Sequence, residues 1–213
     1  MIDCGEDWGG RFRRLRPTAI LLTHAHPDHA GGLKQGAPCP VYATAEAWRS
    51  LPRWPLRLRG VLPVRRPIMI EGFVVEAWPV QHALNAPAVG FKISTGDGCL
   101  FYVPDIAALN HPKRALRSVD LYVGDGAVPV RSLTRIRGRI LIGHASIRTQ
   151  LDWCRRHGIA RAIFTHCGSG IVRSAPAQIE AAVRRLGRER GIDASLAHDG
   201  QTVRFRGASG RRY

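Results

Sequence analysis

The chain has 213 residues, 45% of them hydrophobic, with a formal net charge of +16 at pH 7 and a pI near 11.1. This length and composition predict one domain spanning residues 1–213 with a sizeable core. No run approaches the ~18 apolar residues of a membrane-spanning helix, and no basic segment followed by an apolar one opens the chain. We therefore expect a cytoplasmic protein. The five cysteines form no Cys-x-x-Cys pair, which argues against a disulfide framework.

Arginine carries nearly all of the positive charge, because lysine stands only at positions 34, 92 and 113. Such a charge favours polyanionic partners, either nucleic acid or phosphorylated small molecules. An arginine-rich coding composition of the source genome explains the count equally well, so both interpretations stay open. The arginine clusters are scattered, which predicts a generally basic surface rather than one recognition stripe.

The predicted elements follow the apolar patterns along the chain. Met1–Gly5 resembles the end of a strand, so we expect either a fold that opens abruptly or sequence upstream of Met1. Strands are predicted at 18–23, 41–43, 73–80, 88–94, 99–103, 121–123, 160–165 and 195–197 with a continuation at 202–205, and a hairpin turn at 96–98. Helices are predicted at 44–51, 146–157 and 176–190. This order predicts stacked sheets covered by helices, with a frayed tail at 206–213.

A cluster of metal-binding side chains follows the first buried strand. Thr23–His29 places three imidazoles and one carboxylate directly after the apolar run Ala19–Leu22. Residues two apart in an extended chain point the same way, so His24 and His26 can bind one ion from one side. The alternative is a chance clustering of surface histidines.

The end of this cluster lies where the chain turns. Pro27 and Asp28 predict a helix start, so Asp28 and His29 can face a second ion. Imidazole and carboxylate are suitable ligands for zinc, and also for manganese or iron(II). The spacing predicts a metal-dependent hydrolase.

Four more metal-competent residues each follow a predicted apolar strand: His82, Asp105, His166 and His198. A two-metal centre needs more ligands than the first cluster supplies. Each residue taken alone is as easily a strand cap or a satisfied core group. Together they predict a site built at strand ends.

These residues resemble the motifs of the metallo-β-lactamase superfamily. The H-x-H-x-D-H motif stands intact at His24–His29, Ile2–Gly5 is similar to the first motif, His82 to the third-motif histidine and Asp105 to the bridging aspartate. The resemblance extends over nearly all 213 residues. It implies an α/β fold, a four-layer αββα sandwich for which the lack of the first strand or strands stays an open alternative, and a dinuclear site along one edge.

The surroundings of the later motifs resemble the branch that contains tRNase Z and the phosphonate-pathway cyclic phosphodiesterases. The matching strings are Pro79–His82, Val89–Ile93, Tyr102–Asp105, Gly143–Ser146, Phe164–His166 and Leu196–Gly200. This resemblance implies two divalent ions, zinc first, with manganese or iron as alternatives. It assigns His24, His26, His82 and Asp105 to one ion, and Asp28, His29, Asp105 and His198 to the other.

The same resemblance gives roles to two further groups: His166 supplies a proton near the substrate, and His144 contacts a metal-binding residue or faces the substrate. In the expected mechanism, Asp28 also orients the nucleophile while it binds metal. A backbone-bonded histidine at a strand end is an equally weighted interpretation of His144. Cys167 and Gly168 stand where the branch often carries a small aliphatic residue and serine. No long projecting arm lies between residues 29 and 82, which counts against a dedicated tRNA-processing enzyme.

The expected function is hydrolysis of a cyclic or small phosphodiester, or of a nucleic-acid end. Two alternatives stay open: a thioester or lactone hydrolase that uses the ions as Lewis acids, and a non-catalytic nucleic-acid-binding protein on the same fold. The complete ligand set argues against the last, since unused ligands would bury polar groups at a cost. The expected partner is an anionic small molecule or a nucleic acid, with no membrane and an undetermined oligomeric state.

Overall fold

The computed structural model describes residues 1–205 and 207, so most of the predicted frayed tail lies outside the described residues. The chain is a mixed α/β protein, as predicted. Its contacts divide it into two compact units. The N-terminal unit comprises Met1–Pro79 and Ala83–Phe91; the C-terminal unit comprises Val80–His82 and the chain from Lys92 onward. The single domain stays a prediction. No helix of the described chain is long and apolar enough to span a membrane.

The N-terminal unit contains most of the first eight regular elements, and its last two strands continue into the C-terminal unit. The elements are β1 (Ile20–Leu21), α1 (Pro27–Ala30), β2 (Val41–Thr44), α2 (Ala45–Ser50), β3 (Arg59–Leu62), β4 (Ile68–Ile70), β5 (Phe73–Gln81) and β6 (Ala88–Thr95). Short 3-10 helices occupy Glu6–Trp8, Arg11–Leu15 and Gly31–Leu33.

A three-stranded parallel sheet, in the order β1-β2-β3, supports the first histidine cluster. The start of the chain joins it, because Ile2 forms a parallel bridge with Leu21. Phe12, Ile20 and Val41 are fully buried in the core of this unit. Burial of these apolar side chains fixes the sheet beneath the loop that follows β1, at roughly 1.5–3 kcal/mol for each side chain.

The C-terminal unit continues the element order with seven more strands, two of which form a separate hairpin, and four helices. The elements are β7 (Gly98–Tyr102), β8 (Ala108–Leu109), α3 (Pro112–Ala115), β9 (Leu121–Asp125), β10 (Leu133–Arg137), β11 (Ile140–His144), α4 (Ile147–Arg156), β12 (Arg161–Thr165), α5 (Ser169–Val172), α6 (Pro176–Arg188) and β13 (Asp193–Leu196).

Four strands of this unit, β7, β9, β12 and β13, pair in parallel in that order. Their inner residues are aromatic, and Phe101, Tyr122 and Phe164 are fully buried. Strands β10 and β11 form a separate antiparallel hairpin. Parallel strands point their carboxyl ends toward one edge, so residues that follow β7, β9 and β12 meet there.

The three predicted helices are present with nearly the predicted bounds, and side-chain caps define the starts of two of them. Thr44 accepts a hydrogen bond from the Ala47 N–H, and Ser146 accepts one from the Thr149 N–H. Each cap satisfies an amide at a helix start. The predicted strand at 202–205 is wrong: this segment has no strand partner in the described chain. The β10–β11 hairpin was not predicted, since arginines interrupt its apolar pattern.

Candidate metal centre

The loop after β1 places three histidine rings of the N-terminal unit close together. His24 Nε2 lies 2.9 Å from His26 Nδ1, and the His24 and His29 ring centroids are 4.2 Å apart. His26 is the N-cap of α1 and Pro27 begins this helix, so the chain turns between the second and third histidines. Two zinc ligands at ~2.0–2.1 Å in a tetrahedron are about 3.3 Å apart, so the two nitrogens suit one ion.

Asp3 orients the buried end of this cluster. Its Oδ2 lies 2.8 Å from His29 Nδ1 and also accepts the Thr23 hydroxyl hydrogen, while Oδ1 accepts the Thr23 N–H. An Nδ1–H donated to a carboxylate places the lone pair on Nε2, the usual arrangement of a metal-binding histidine. The Thr23 oxygen lies 3.0 Å from His24 Nδ1 and orients that ring similarly. Asp3 has no role of its own among the sequence-based predictions.

Asp28 differs from its neighbours in exposure. Its side chain is 58% exposed, whereas His29 and His24 are buried. Asp28 Oδ2 lies 3.5 Å from His29 Nε2. A carboxylate that reaches both solvent and a ligand nitrogen can bind an ion or hold a water molecule next to it.

The C-terminal unit forms a second cluster, at strand ends as predicted. His82 follows β5, Asp105 follows β7, and His166 follows β12 directly. Asp125 is the last residue of β9, and His144 is the last residue of β11. Of these five, the sequence analysis missed Asp125. The signal available for it was its position after the apolar strand 121–123.

The distances within this cluster fit a divalent cation. Asp105 Oδ1 lies 3.4 Å from His144 Nδ1 and 3.2 Å from His166 Nδ1. One atom each from Asp105, Asp125, His144 and His166 lie within 4.8 Å of one another. His82 Nδ1 lies 3.2 Å from the Gly143 carbonyl oxygen, and its Nε2 lies 4.0 Å from Asp105 Oδ2. Two carboxylates with neutral imidazoles form a donor set that zinc, manganese and iron(II) accept.

A buried polar network fixes His144. Asp125 is fully buried, and its Oδ2 lies 2.8 Å from His144 Nδ1 and accepts the Ile106 N–H at 3.0 Å. Gln150 holds the Asp125 backbone on both sides: its oxygen accepts the Asp125 N–H, and its amide group donates to the Asp125 carbonyl oxygen. Tyr122 donates its hydroxyl to the same Gln150 oxygen at 3.0 Å. Asp125 therefore positions the His144 ring.

Three residues of the two clusters have unusual backbones. Asp3 and His166 both have φ of 54°, the left-handed region that costs a non-glycine residue on the order of 1–3 kcal/mol. Gly143 has φ of 105°, and a Cβ there would lie 2.0 Å from the Leu133 carbonyl oxygen. Glycine at position 143 therefore lets the backbone of β11 lie close to the Leu133 carbonyl oxygen, and this places His144 at the end of β11.

His198 is not brought together with other metal-binding residues in this way. It follows β13 by two residues, its side chain is exposed, and its N–H donates to Gln201 Oε1 at 3.1 Å. Within residues 1–205 and 207, no group of three or more close metal-binding side chains includes His198. Its role as a ligand stays a prediction, as does every ligand set that combines residues of both units.

Comparisons with known proteins place this arrangement in a family. A family model described as beta-lactamase superfamily domain matches residues 1–167, and no curated protein matches the chain. The metallo-beta-lactamase fold protein YhfI from Bacillus subtilis is 14% identical with a TM-score of 0.68, and the match covers 92% of this chain and 82% of that chain.

Two other solved structures carry names of enzymes. A diphosphatase from the PhnP family is 20% identical, with a TM-score of 0.60 and coverage of 94% of this chain and 76% of that chain. An isothiocyanate hydrolase from Delia radicum gut bacteria is 18% identical, with a TM-score of 0.67 and coverage of 92% and 79%. At these identities the likeness shows the fold alone, which confirms the predicted metallo-β-lactamase fold. With its family match over 167 residues, the chain belongs to the beta-lactamase superfamily domain family.

Proposed function

We propose that the protein is a metal-dependent hydrolase that cleaves phosphodiesters, either small or cyclic ones or nucleic-acid ends. The observation that carries the proposal is the cluster of Asp105, Asp125, His144 and His166, with one ligand atom from each within 4.8 Å of the others. The family supports a hydrolase, and the PhnP-family diphosphatase supports a substrate cleaved at phosphorus.

The proposal includes two divalent ions, with zinc preferred over manganese and iron. The histidines of the N-terminal unit and the cluster of the C-terminal unit supply imidazole and carboxylate atoms, which suit these ions. When bound, such ions lower the pKa of a coordinated water from 15.7 toward ~7 and neutralise charge that develops on a phosphate oxygen.

The chain's own residues position and move protons. Asp28, the exposed carboxylate beside His29, orients the attacking water and accepts its proton. His166, with a side chain 31% exposed, donates a proton to the leaving oxygen, so in this mechanism it is the member of the cluster that does not hold an ion. His144 stacks nearly parallel to it, with ring centroids 6.1 Å apart, and Asp125 fixes its orientation. General acid help of this kind contributes typically ~10²–10⁴-fold.

A substrate panel tests the reaction class. We expect bis-p-nitrophenyl phosphate to give a kcat/KM at least on the order of 10²-fold above a thioester and a lactone, because the proposed site stabilises charge that develops on phosphate oxygens in the transition state. Metal analysis of protein purified without added ions should give about two ions per chain. A metal-loaded protein that prefers the thioester or the lactone would contradict the phosphodiesterase proposal.

A second candidate is hydrolysis at carbon. The isothiocyanate hydrolase with the same fold attacks a carbon centre, so the fold by itself does not select phosphorus. The same donor set would polarise a carbonyl or thiocarbonyl group as a Lewis acid. Adding an isothiocyanate to the panel separates this candidate from the first, since each predicts a different best substrate.

A further inference from the structure

The hairpin of β10 and β11, residues 133–144, is anchored along its second strand, β11. We name it the arginine hairpin. The Leu141 N–H donates to Gln81 Oε1 at 2.7 Å, and the Gly143 N–H donates to the His82 carbonyl oxygen at 2.8 Å. Among the described residues, neither strand pairs with any strand other than its partner. The turn at Gly138 has open space around it. The hairpin therefore presents most of its side chains to solvent.

The charge of this segment has one sign. Residues 126–151 contain five arginines and no aspartate or glutamate. All five are exposed, and four of them lie in or beside the hairpin: Arg131, Arg135, Arg137 and Arg139. Within residues 1–205 and 207, none of these four guanidinium groups forms an ion pair. These four arginines, the arginine patch, thus keep their full positive charge available to an external anion.

The register connects this patch with the candidate site. Leu133, Arg135 and Arg137 are two residues apart and share one face of β10. They lie opposite His144, Ile142 and Ile140 respectively. Arg135 and Arg137 are two and four residues along β10 from the Leu133–His144 pair. At ~3.4 Å per residue they lie about 7 and about 14 Å from that pair. Two cations on a strand face that leads to a candidate active-site histidine suit successive phosphates of a chain.

The distribution of apolar side chains argues against a membrane surface as the partner. Leu133, Ile136 and Ile140 are 60%, 74% and 36% exposed. Leu133 and Ile140 share their face with Arg135 and Arg137, whereas an element that lies in a bilayer surface separates its apolar face from its basic face. Edge-to-edge pairing of two such hairpins is opposed by repulsion between like charges.

We propose that the arginine hairpin binds the backbone of a single-stranded polynucleotide and leads it toward His144. Arg135, Arg137 and Arg139 contact phosphates, while guanidinium planes and the exposed aliphatic side chains contact bases. This deepens the proposed function, on which it rests, by naming nucleic acid as the substrate class. Binding by the hairpin itself needs no metal ion, so it is measured apart from turnover.

The test is a binding titration with the full chain treated with EDTA. The probe is a fluorescein-labelled oligouridine RNA of about 20 nucleotides, measured by anisotropy between about 50 and about 200 mM NaCl. We expect the variant Arg135→Gln/Arg137→Gln/Arg139→Gln to bind on the order of tenfold more weakly. Its slope of log affinity against log salt should be smaller by about 2, because three phosphate contacts are lost. The corresponding triple lysine variant should restore the slope.

The matched control removes three other exposed arginines of the same unit, Arg155→Gln/Arg156→Gln/Arg188→Gln, and loses the same net charge. This control should change affinity by less than about twofold. Equal weakening by both triple variants would overturn the proposal, because binding would then depend on net charge alone. Binding to phosphatidylglycerol vesicles without binding to RNA would overturn it in favour of a membrane.

Turnover is scored separately on metal-loaded wild-type protein with bis-p-nitrophenyl phosphate. No turnover together with hairpin-dependent RNA binding would contradict the proposed function and leave the hairpin as a binding site only. Turnover without hairpin-dependent RNA binding would contradict the hairpin proposal and leave the proposed function intact.

Discussion

Asp125 shows how a single buried carboxylate can control the orientation of a neighbouring, partly exposed ring. It is fully buried, holds His144 Nδ1 at 2.8 Å, and accepts the N–H groups of Ile106 and Ala127. The hydrogen bonds that this carboxylate accepts offset the free-energy cost of burying it. Its orientation is therefore fixed before any substrate arrives, and the orientation of His144 is fixed with it.

Asp125→Asn should lower kcat by about 10–100-fold with little change in KM, because an orienting partner is lost while the substrate contacts remain. The matched control is Tyr122→Phe, which removes one hydrogen bond of the same network without touching His144. This control should lose roughly 0.5–1.5 kcal/mol of unfolding free energy and keep kcat. Steady-state kinetics and urea denaturation measure both. If Asp125→Asn lowers the unfolding free energy but leaves kcat unchanged, Asp125 has a structural role only.

At this scale the sequence predicted the metal-competent residues better than the residues that orient them. His24, His26, His82 and His166 follow strands, which the apolar pattern reveals. Asp125 follows the apolar residues 121–123, which marks it as a strand-end group, but its partner His144 is 19 positions away and no local pattern reveals that contact. Orientation is a property of contacts distant in sequence, so it required the tertiary structure.

The ends of the strands in the C-terminal unit determine where its candidate metal site lies. Strands β7, β9 and β12 are parallel, so Asp105, Asp125 and His166 meet at one edge although 61 positions of sequence separate the first and the last. The β10–β11 hairpin adds His144 from a separate ladder. Its position depends on Gly143, because only glycine avoids contact with the Leu133 carbonyl oxygen at a φ of 105°.

Gly143→Ala should destabilise the protein by more than about 1–3 kcal/mol, since a clash with Leu133 adds to backbone strain. It should also lower kcat, because His144 is the next residue. Gly138→Ala is the matched control: its φ is 60°, but a Cβ there meets open space. This control should cost only about 1–2 kcal/mol from the left-handed conformation and should keep kcat. Equal kcat losses in the two variants would show that the hairpin as a whole, and not Gly143, positions His144.

The whole molecule combines a reduced, buried set of thiols with clusters of metal-binding side chains. All five cysteines are free, and four of them are buried. Burial is the main cause that raises the pKa of Cys4 to about 11, with the nearby Asp3 charge as a second cause. Burial also raises the pKa of Cys154. These thiols are therefore packing groups rather than nucleophiles.

At pH 8, the Cys4 thiol of the folded protein should react with a disulfide reagent about 100-fold more slowly than in the unfolded chain, because its thiolate fraction falls from near 10% to near 0.1%. Five thiols should titrate in denaturant without reductant. Between pH 9.0 and about 11, the Cys4 thiol is deprotonated in the unfolded chain but still protonated in the folded protein. The free energy of unfolding should therefore fall as pH rises through that window. A titre below five in denaturant would reveal a disulfide.

Metal removal should lower the thermal stability of the whole molecule. Ions that bind the folded chain and not the unfolded one stabilise it by about 2.7 kcal/mol at 100 times their Kd. We therefore expect EDTA to lower Tm by several degrees and zinc to restore it, measured by calorimetry. The control replaces Asp105, Asp28 and His82 by alanine, and this variant should show no shift on addition of zinc. A Tm unchanged by EDTA in metal-containing protein would contradict the metal centre.

The sequence by itself determined the fold family, the helices with capped starts and the histidines of the H-x-H-x-D-H motif, because apolar periodicity and short spacings are local properties. Only the tertiary structure decided that Asp3 and Asp125 orient ligand rings, that Arg135 and Arg137 share an exposed strand face with His144, and that His198 lies on the surface. The physical reason is distance along the chain: hydrogen bonds and strand pairings that join remote segments leave no pattern in either segment alone.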